Sequence, residues 1–488
     1  MTKSSKLIPG KKIAIAVATV CMSLSLPASG NENKRLLDLM LKRGVITQKD
    51  YDEYIEASKD EEENKAFREL RTDQNLAKVN DFMQKNADAG KIMKNGIGFQ
   101  SADGRNTIQL TGRMHMDYRA YDPQYASSVI TPVDSTIDQL DVRRARLGVK
   151  GQFEKDWKYE FVGSYGVPDN GMSDSASVVD VAYFDYAANP ALSYRFGKFK
   201  MPYSLEQLTS SNNIDFMERS MANQNEGEYV PGKETGVMVF GSPRDGTSYG
   251  LALSRGRINK SAGTDSSDFI GRGTVNFAKT FMDTDDYVTH LGYGYSRGEI
   301  SPSSQAFYQS ARDESRAFNN FFKGQESVKH GSTRTRSDVE YAVAYGPLKL
   351  QGEFFKVGYT TTDEATRNIN IRYNEILWNL TGESHNYNNA TGTFGTIKPN
   401  SKFTDKGGLG AWQIGVRYTN FDASDFTPAL HTTDKATAWT YGLNWYLNEY
   451  VRFMLNYVTT SFDDRVGLST TTGVTGHKAI MLRSQINF

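Results

Sequence analysis

From Ile97 to Phe488 the apolar residues of this chain recur at every second position, and no other feature limits its fold as strongly. Ile108, Leu110, Gly112, Met114, Met116 and Tyr118 alternate with Gln109, Thr111, Arg113, His115, Asp117 and Arg119. The same period runs through Trp157, Tyr159 and Phe161, through Val339, Tyr341, Val343 and Tyr345, and through Trp412, Ile414, Val416 and Tyr418. Successive side chains of an extended strand point to opposite faces, so each run is a strand with one apolar, aromatic face and one polar, often charged face. A soluble sandwich buries such apolar faces in one core, whereas a transmembrane barrel turns them to lipid. Several runs reach eleven residues or more, which suits a tilted strand that needs about 9 to 11 residues to cross a bilayer.

Composition agrees once this period is known. The 488 residues carry 57 basic and 57 acidic side chains, 12% aromatics and a mean hydropathy of −0.56. No stretch approaches the ~20 consecutive apolar residues of a spanning helix. Strands that alternate between lipid and water average to a hydrophilic value, so the expected fold is all-β, a transmembrane antiparallel barrel.

Connections alternate in length. Short turns at Glu154-Lys155-Asp156, Ala188-Asn189-Pro190, Gly346-Pro347 and Asn448-Glu449 separate longer polar loops, as in barrels with short periplasmic turns and long outer loops. Sixteen runs start near residues 106, 137, 156, 177, 191, 234, 246, 268, 284, 333, 347, 368, 409, 435, 450 and 476. An even count returns both ends to one side, and about sixteen strands leave an aqueous lumen; fourteen and eighteen are the neighbouring alternatives. Residues 382–408 form a long connection where this count places a short turn. Residues 202–233 and 300–332 are long enough to fold inward and narrow a channel.

The segments before the barrel have other characters. Lys3, Lys6, Lys11 and Lys12 precede an apolar stretch from Ile13 to Leu26 and then Pro27-Ala28-Ser29-Gly30, the order of a secretory signal peptide. It is expected over residues 1–30, with cleavage after Ala28 or Gly30. The one cysteine, Cys21, lies inside it, so thiol chemistry is not expected beyond it. Residues 31–90 form an expected helical arm on the periplasmic side, with 11 basic and 14 acidic residues. Leu36, Leu37, Met40 and Leu41 recur at helical spacing, Gly44 supplies a C-cap, and Thr47 with Asp50 reads as a capping box. The sparse apolar positions from Phe67 to Met83 fit a coiled coil, a mobile arm or a solvated linker.

The polar faces of residues 91–488 name the lining of a lumen. Where Ala145, Leu147, Val149 and Phe153 face lipid, Arg144, Arg146 and Lys150 face water, with Arg143 at the break in parity; Arg113, His115, Asp117 and Arg119 point the same way. Guanidinium forks replace the water of phosphate or carboxylate, so such a lining favours anions. The barrel as a whole, with 42 basic against 43 acidic residues, leaves open a general pore whose charges cancel.

Asp141-Val142-Arg143-Arg144-Ala145-Arg146-Leu147-Gly148, Lys155-Asp156-Trp157-Lys158-Tyr159, Phe196-Gly197-Lys198-Phe199, Leu205-Glu206 with Thr209-Ser210-Ser211, and Met217-Glu218-Arg219-Ser220 stand in order along the chain. Leu380-Thr381-Gly382-Glu383, Thr396-Ile397-Lys398-Pro399, Gly410-Ala411-Trp412 and Gly442-Leu443-Asn444-Trp445-Tyr446 follow. This series resembles the phosphate-selective porin family, the porin O and porin P group, from about Gly98 to Phe488. The resemblance implies a homotrimer of sixteen-stranded barrels in the bacterial outer membrane, each pore narrowed by inward loops and lined by arginines. By position it implies that Arg113, Arg143 and Arg144 are pore arginines, that Asp180 opposes them and that Arg219 lies on the inward loop. It further implies that Lys158 and Lys398 lie toward the periplasmic end and that Arg195 occupies a position where members carry lysine. Gln207 stands where the phosphate-selective members have a lysine, and their later arginine series is thinned here to Arg312 and Arg316.

The expected function is a passive, anion-preferring outer-membrane porin, for phosphate or polyphosphate, with a general or other-solute porin as the alternative. The expected partners are outer-membrane lipid and lipopolysaccharide, two further copies of the chain, small anionic solutes, and the barrel-assembly machinery, which would read the terminal Phe488. No cofactor, metal or nucleic acid is expected. An enzyme is disfavoured because the six histidines, His115, His290, His330, His385, His431 and His477, show no metal or triad spacing. An adhesive role for the loops is a further alternative.

Overall fold

A computed structural model describes residues 30–56, 59, 73, 91–92, 97–125, 139–166, 178–224, 227–255, 267–299, 310–318, 320–326, 332–360, 363–403, 407–467 and 473–488. The expected signal peptide and most of the later arm lie outside these residues. The chain divides into two compact units, Met1–Ala89 and Gly90–Phe488.

In the first unit, helix α1 (Gly30–Lys42) ends at Gly44, whose φ of 67° is the left-handed conformation that glycine adopts without strain. A second helix covers residues 48–56. Its start is a capping box: Thr47 N donates to Asp50 Oδ2 at 2.9 Å and Asp50 N donates to Thr47 Oγ1 at 3.3 Å. Tyr51 joins the two helices by donating to Asp38 Oδ1 at 2.7 Å.

The second unit is a closed antiparallel barrel. Its sixteen strands among the described residues are β1 (Thr107–Tyr125), β2 (Gln139–Phe153), β3 (Trp157–Ser164), β4 (Val178–Asn189), β5 (Leu192–Lys200), β6 (Lys233–Gly241), β7 (Thr247–Ser254), β8 (Asp268–Asn276), β9 (Tyr287–Glu299), β10 (Thr333–Tyr345), β11 (Leu348–Thr360), β12 (Thr366–Asn379), β13 (Ala411–Asp422), β14 (Lys435–Tyr446), β15 (Val451–Gly467) and β16 (Gly473–Asn487). Every start lies within three residues of the one expected from alternation. Each strand pairs with its neighbour in sequence, and β16 closes the ring on β1, from Val474 opposite Tyr125 to Asn487 opposite Arg113. Closure leaves no unpaired edge, as a bilayer requires. Phe488 completes the seam, since its N–H and C=O both bond Gly112 at 3.0 Å. The Phe488 ring packs over Gly112, where an added Cβ would lie 2.4 Å from it and would force the ring to move.

The expected faces hold. Leu147, Phe153, Phe161, Val343 and Leu482 are exposed on the outer wall, while His115, Asp117, Glu340, Arg417 and Arg483 are buried inside. The parity break at Arg143 is a β-bulge: register slips between His115 and Asp117, so Val142 and Arg143 together oppose Met116. Arg143 and Arg144 therefore both face inward.

Three connections fold into the barrel. Residues 201–224 and 227–232 carry short helices at Leu205–Leu208 and Met221–Gln224, and residues 310–318 and 320–326 form a second inward segment. Together with inward rows of the strands they build an apolar core that includes Met201, Tyr203, Tyr229, Phe321, Phe322, Tyr359 and Phe421. The long connection between β12 and β13 also turns inward, with Phe394 and Tyr387 packed beside Leu205.

Candidate functional site

The first inward loop is tied down by buried charges. Arg483 forks onto Asp117 at 2.6 and 2.7 Å, and Arg119 lies 2.6 Å from Asp117 and 3.1 Å from Glu218 of the loop. Arg143 reaches the same Glu218 at 3.0 Å. Further along, Glu206 accepts from Ser220 and Asn223 within the loop and from Arg417 of β13 at 3.1 Å. Arg417 also holds Glu314 of the second inward segment at 2.6 Å, so one guanidinium clasps both loops. His477 joins that second segment through one nitrogen: Nε2 lies 2.7 Å from Ser315 Oγ and 3.2 Å from Asp313 Oδ2. Because both partners meet the same nitrogen, this group is a latch and has not the geometry of a relay.

With the loops held so, a chamber of about 370 Å³ lies between them and the barrel wall. Its strand residues all come from β1 to β8, and its remaining lining comes from the first loop and from residues 390–393. Its charged lining consists of eight basic residues, Arg113, Arg144, Arg146, Arg195, Lys200, Arg219, Lys233 and Arg272, against Glu160 and Asp180. A vestibule of about 560 Å³ continues toward the short turns, lined in part by Lys158, Lys150, Asp185 and Arg195.

The two acids do not cancel the lining. Asp180 is shared by Arg146 at 3.0 Å and Lys233 at 2.8 Å, and Glu160 accepts from the Tyr183 hydroxyl at 2.6 Å. Arg195 forks onto Asp185 at 2.7 and 2.8 Å and lies 3.8 Å above the Tyr183 ring. Arg113 donates to Ser211 Oγ at 2.8 Å. Arg219 bonds the carbonyls of Glu206 and Thr209, while Lys200 bonds those of Gln207 and Thr209. Carbonyls and a hydroxyl, themselves uncharged, orient these cations at the chamber wall.

The structure thus brings Arg113, Arg144, Arg146, Asp180, Arg195 and Arg219 together around one chamber. Lys158 belongs to the vestibule and Arg143 to the anchor of the loop, while Lys398 is exposed on the β12–β13 connection and lines neither space. Sequence reasoning missed Lys200, Lys233 and Arg272. Lys200 and Lys233 stand directly opposite each other where the inward loop leaves β5 and returns to β6, a juxtaposition that only strand register gives. Arg272 lies on the inward row of β8 beside Ile270 and Thr274, and alternation marks that row.

Residues 108–488 match the family model described as phosphate-selective porin O and P. Porin O of Pseudomonas aeruginosa is 28% identical over 400 residues, covering 76% of this chain and 86% of that protein. Among solved structures, the anion-selective porin from Comamonas acidovorans is similar with a TM-score of 0.48 at 13% identity, covering 78% of this chain and all of that one. The outer membrane channel DcaP of Acinetobacter baumannii gives a TM-score of 0.48 at 10% identity, covering 82% and 100%. At these scores the structural likeness adds nothing to the fold that strand pairing already fixes. The family match over most of the chain agrees with the basic chamber, and this chain, an anion-preferring channel of the bacterial outer membrane, belongs to the phosphate-selective porin O and P family.

Proposed function

We propose that this porin passes phosphate and related oxyanions by passive diffusion, handing them between pore-lining cations. The observation that carries the reading is the eight-to-two excess of basic over acidic residues around one chamber. Arg113, Arg144, Arg146 and Arg219, with Lys200 and Lys233, are the proposed binding groups. Lys158 and Arg195 receive the anion in the vestibule, and Lys398, which lines neither space, acts only as exposed positive charge on the β12–β13 connection. Asp180 opposes them and keeps binding weak enough for release, because a conducting site must let go as readily as it captures. Gln207 lines the chamber with a neutral amide, which favours a looser hold on phosphate than a cation there would give. The family supports a homotrimer in lipid and lipopolysaccharide, each copy with its own pore, and the Phe488 seam supports delivery by the barrel-assembly machinery. The residues 1–30 signal and residues 31–90 arm complete the proposed organisation.

Planar-bilayer recording tests the reading. Chloride current through the purified protein is expected to exceed cation current and to fall as phosphate is added at low concentration. Cation preference, or chloride current indifferent to phosphate, would overturn it in favour of a general porin.

A further inference from the structure

Three acids meet inside the barrel wall: Asp338 and Glu340 on β10, and Glu353 on β11 directly across the ladder from Glu340. One oxygen from each lies within 4.8 Å of the others, and all three side chains are fully buried. Two of them are satisfied. Arg272 forks onto Glu340 at 2.8 and 2.7 Å, and His290 Nε2 lies 3.1 Å from the same carboxylate. His290 Nδ1 is 2.6 Å from the Tyr387 hydroxyl, so a neutral ring that donates from Nε2 and accepts at Nδ1 satisfies both contacts. Glu353 accepts from the backbone N–H groups of Leu205 and Glu206, at 2.9 and 2.8 Å, and from the Tyr373 hydroxyl at 2.5 Å.

Asp338 is different. Neither of its oxygens meets a hydrogen-bond donor among the described residues, although the residue is wholly buried, and a bond to the neighbouring Glu353 carboxyl needs a shared proton. The hydroxyl of fully buried Tyr203, on the inward loop, is likewise without a partner among the described residues. Tyr203 and Asp338 flank the same glycine, since a Cβ added at Gly294 would touch the Tyr203 ring and the Asp338 Cβ. With all three ionised, the one Arg272 guanidinium would leave two negative charges buried together. Buried charge persists only when it is paired, coordinates an ion or is neutralised by a proton.

We propose that Asp338, Glu340 and Glu353 bind one divalent cation of the calcium class, with the Tyr203 hydroxyl as the ligand supplied by the inward loop. Calcium takes hard oxygen ligands at about 2.3–2.6 Å in flexible geometry, which oxygens clustered this closely can satisfy. Magnesium demands near-ideal octahedral geometry and keeps its waters, so it suits a dry carboxylate cluster less well. The ion balances the two buried charges and fastens the root of the loop, whose Leu205 and Glu206 N–H groups already rest on Glu353. Pro202, adjacent to Tyr203, and Arg272, which holds Glu340, both line the chamber.

Calcium titration of the full chain in detergent, freed of lipopolysaccharide and stripped with a chelator, tests this. Calorimetry and equilibrium dialysis with radioactive calcium are expected to show one site per chain, weakened about tenfold or more in Asp338→Asn. Absence of that site, or equal binding by Asp338→Asn, overturns the proposal and leaves a proton shared between Asp338 and Glu353 as what neutralises the cluster. Should Asp338→Asn fail to fold, Tyr203→Phe decides: several-fold weaker calcium binding supports the site, and unchanged affinity refutes it.

Discussion

Arg143 and Arg146 lie on one strand and serve different ends, because a bulge and a partner separate them. Arg146 faces the chamber and shares Asp180 with Lys233, whereas Arg143 is buried against Glu218 of the inward loop. Arg146→Ala is expected to leave folding intact, to lower chloride-over-potassium preference and to weaken phosphate block about tenfold, the worth of one charge-assisted contact near 1.4 kcal/mol. Reversal potentials and phosphate titration of the variant measure both. Arg143→Ala is expected to act on stability, since Glu218 keeps Arg119 and Arg483 but loses one buried partner; a loss of about 1–3 kcal/mol should appear as a lower thermal midpoint. Alternation made the inward direction of Arg146 legible and left Arg143 at a break in parity, which strand register resolves as a bulge. Their division of labour was not legible, since Glu218 comes from a loop far along the chain and only tertiary packing brings it to β2.

At the scale of elements, loop length was readable and loop attachment was not. Alternation stops at residues 202–233 and 300–332, and both contain segments that fold inward. Nothing in their sequence shows that Arg417, one inward position on β13, would clasp Glu206 and Glu314 together. Arg417→Ala strands two buried carboxylates, a loss of about 3–5 kcal/mol. It should free both loops, seen as protease nicking inside them and as noisier open-channel current. The β12–β13 connection carries a pH response of its own. Burial and then the Lys349 ammonium push the His385 imidazole down to about 4 from its ordinary 6.5. The unfolded connection takes up a proton near pH 6.5 and the folded one resists until about pH 4. The folded form is therefore fully favoured above that window and loses about 3 kcal/mol as pH falls through it. Protection from amide exchange in residues 380–403, taken relative to the intrinsic exchange rate at each pH, should fall between pH 6.5 and 4, and His385→Phe should flatten that fall.

The barrel unit of the molecule has a lumen that is unevenly shared. Inward loops and an aromatic core occupy much of it, and the chamber is confined to strand residues of β1 to β8. Near-equal charge over the chain therefore says little about the charge a solute meets, which is set by the basic excess around about 370 Å³, an excess that persists with Arg195 paired to Asp185 and Arg272 to Glu340. A space of that volume is roughly 7 Å across, shorter than the Debye length of about 10 Å at 0.1 M salt and longer than the 3 Å at 1 M. Two kinds of selectivity should then separate with ionic strength. Preference for chloride arises from the summed field and is expected to decline steeply between about 0.1 and 1 M KCl as counterions screen the walls. Phosphate is held by direct guanidinium and ammonium hydrogen bonds, which operate inside the screening distance, so its block of residual chloride current should survive at 1 M. Reversal potentials at a fixed KCl gradient and rising mean concentration, repeated with phosphate present, distinguish the two. Chloride preference constant across the range would mean that chloride too is held by contact, and the chamber would then select by fit rather than by field.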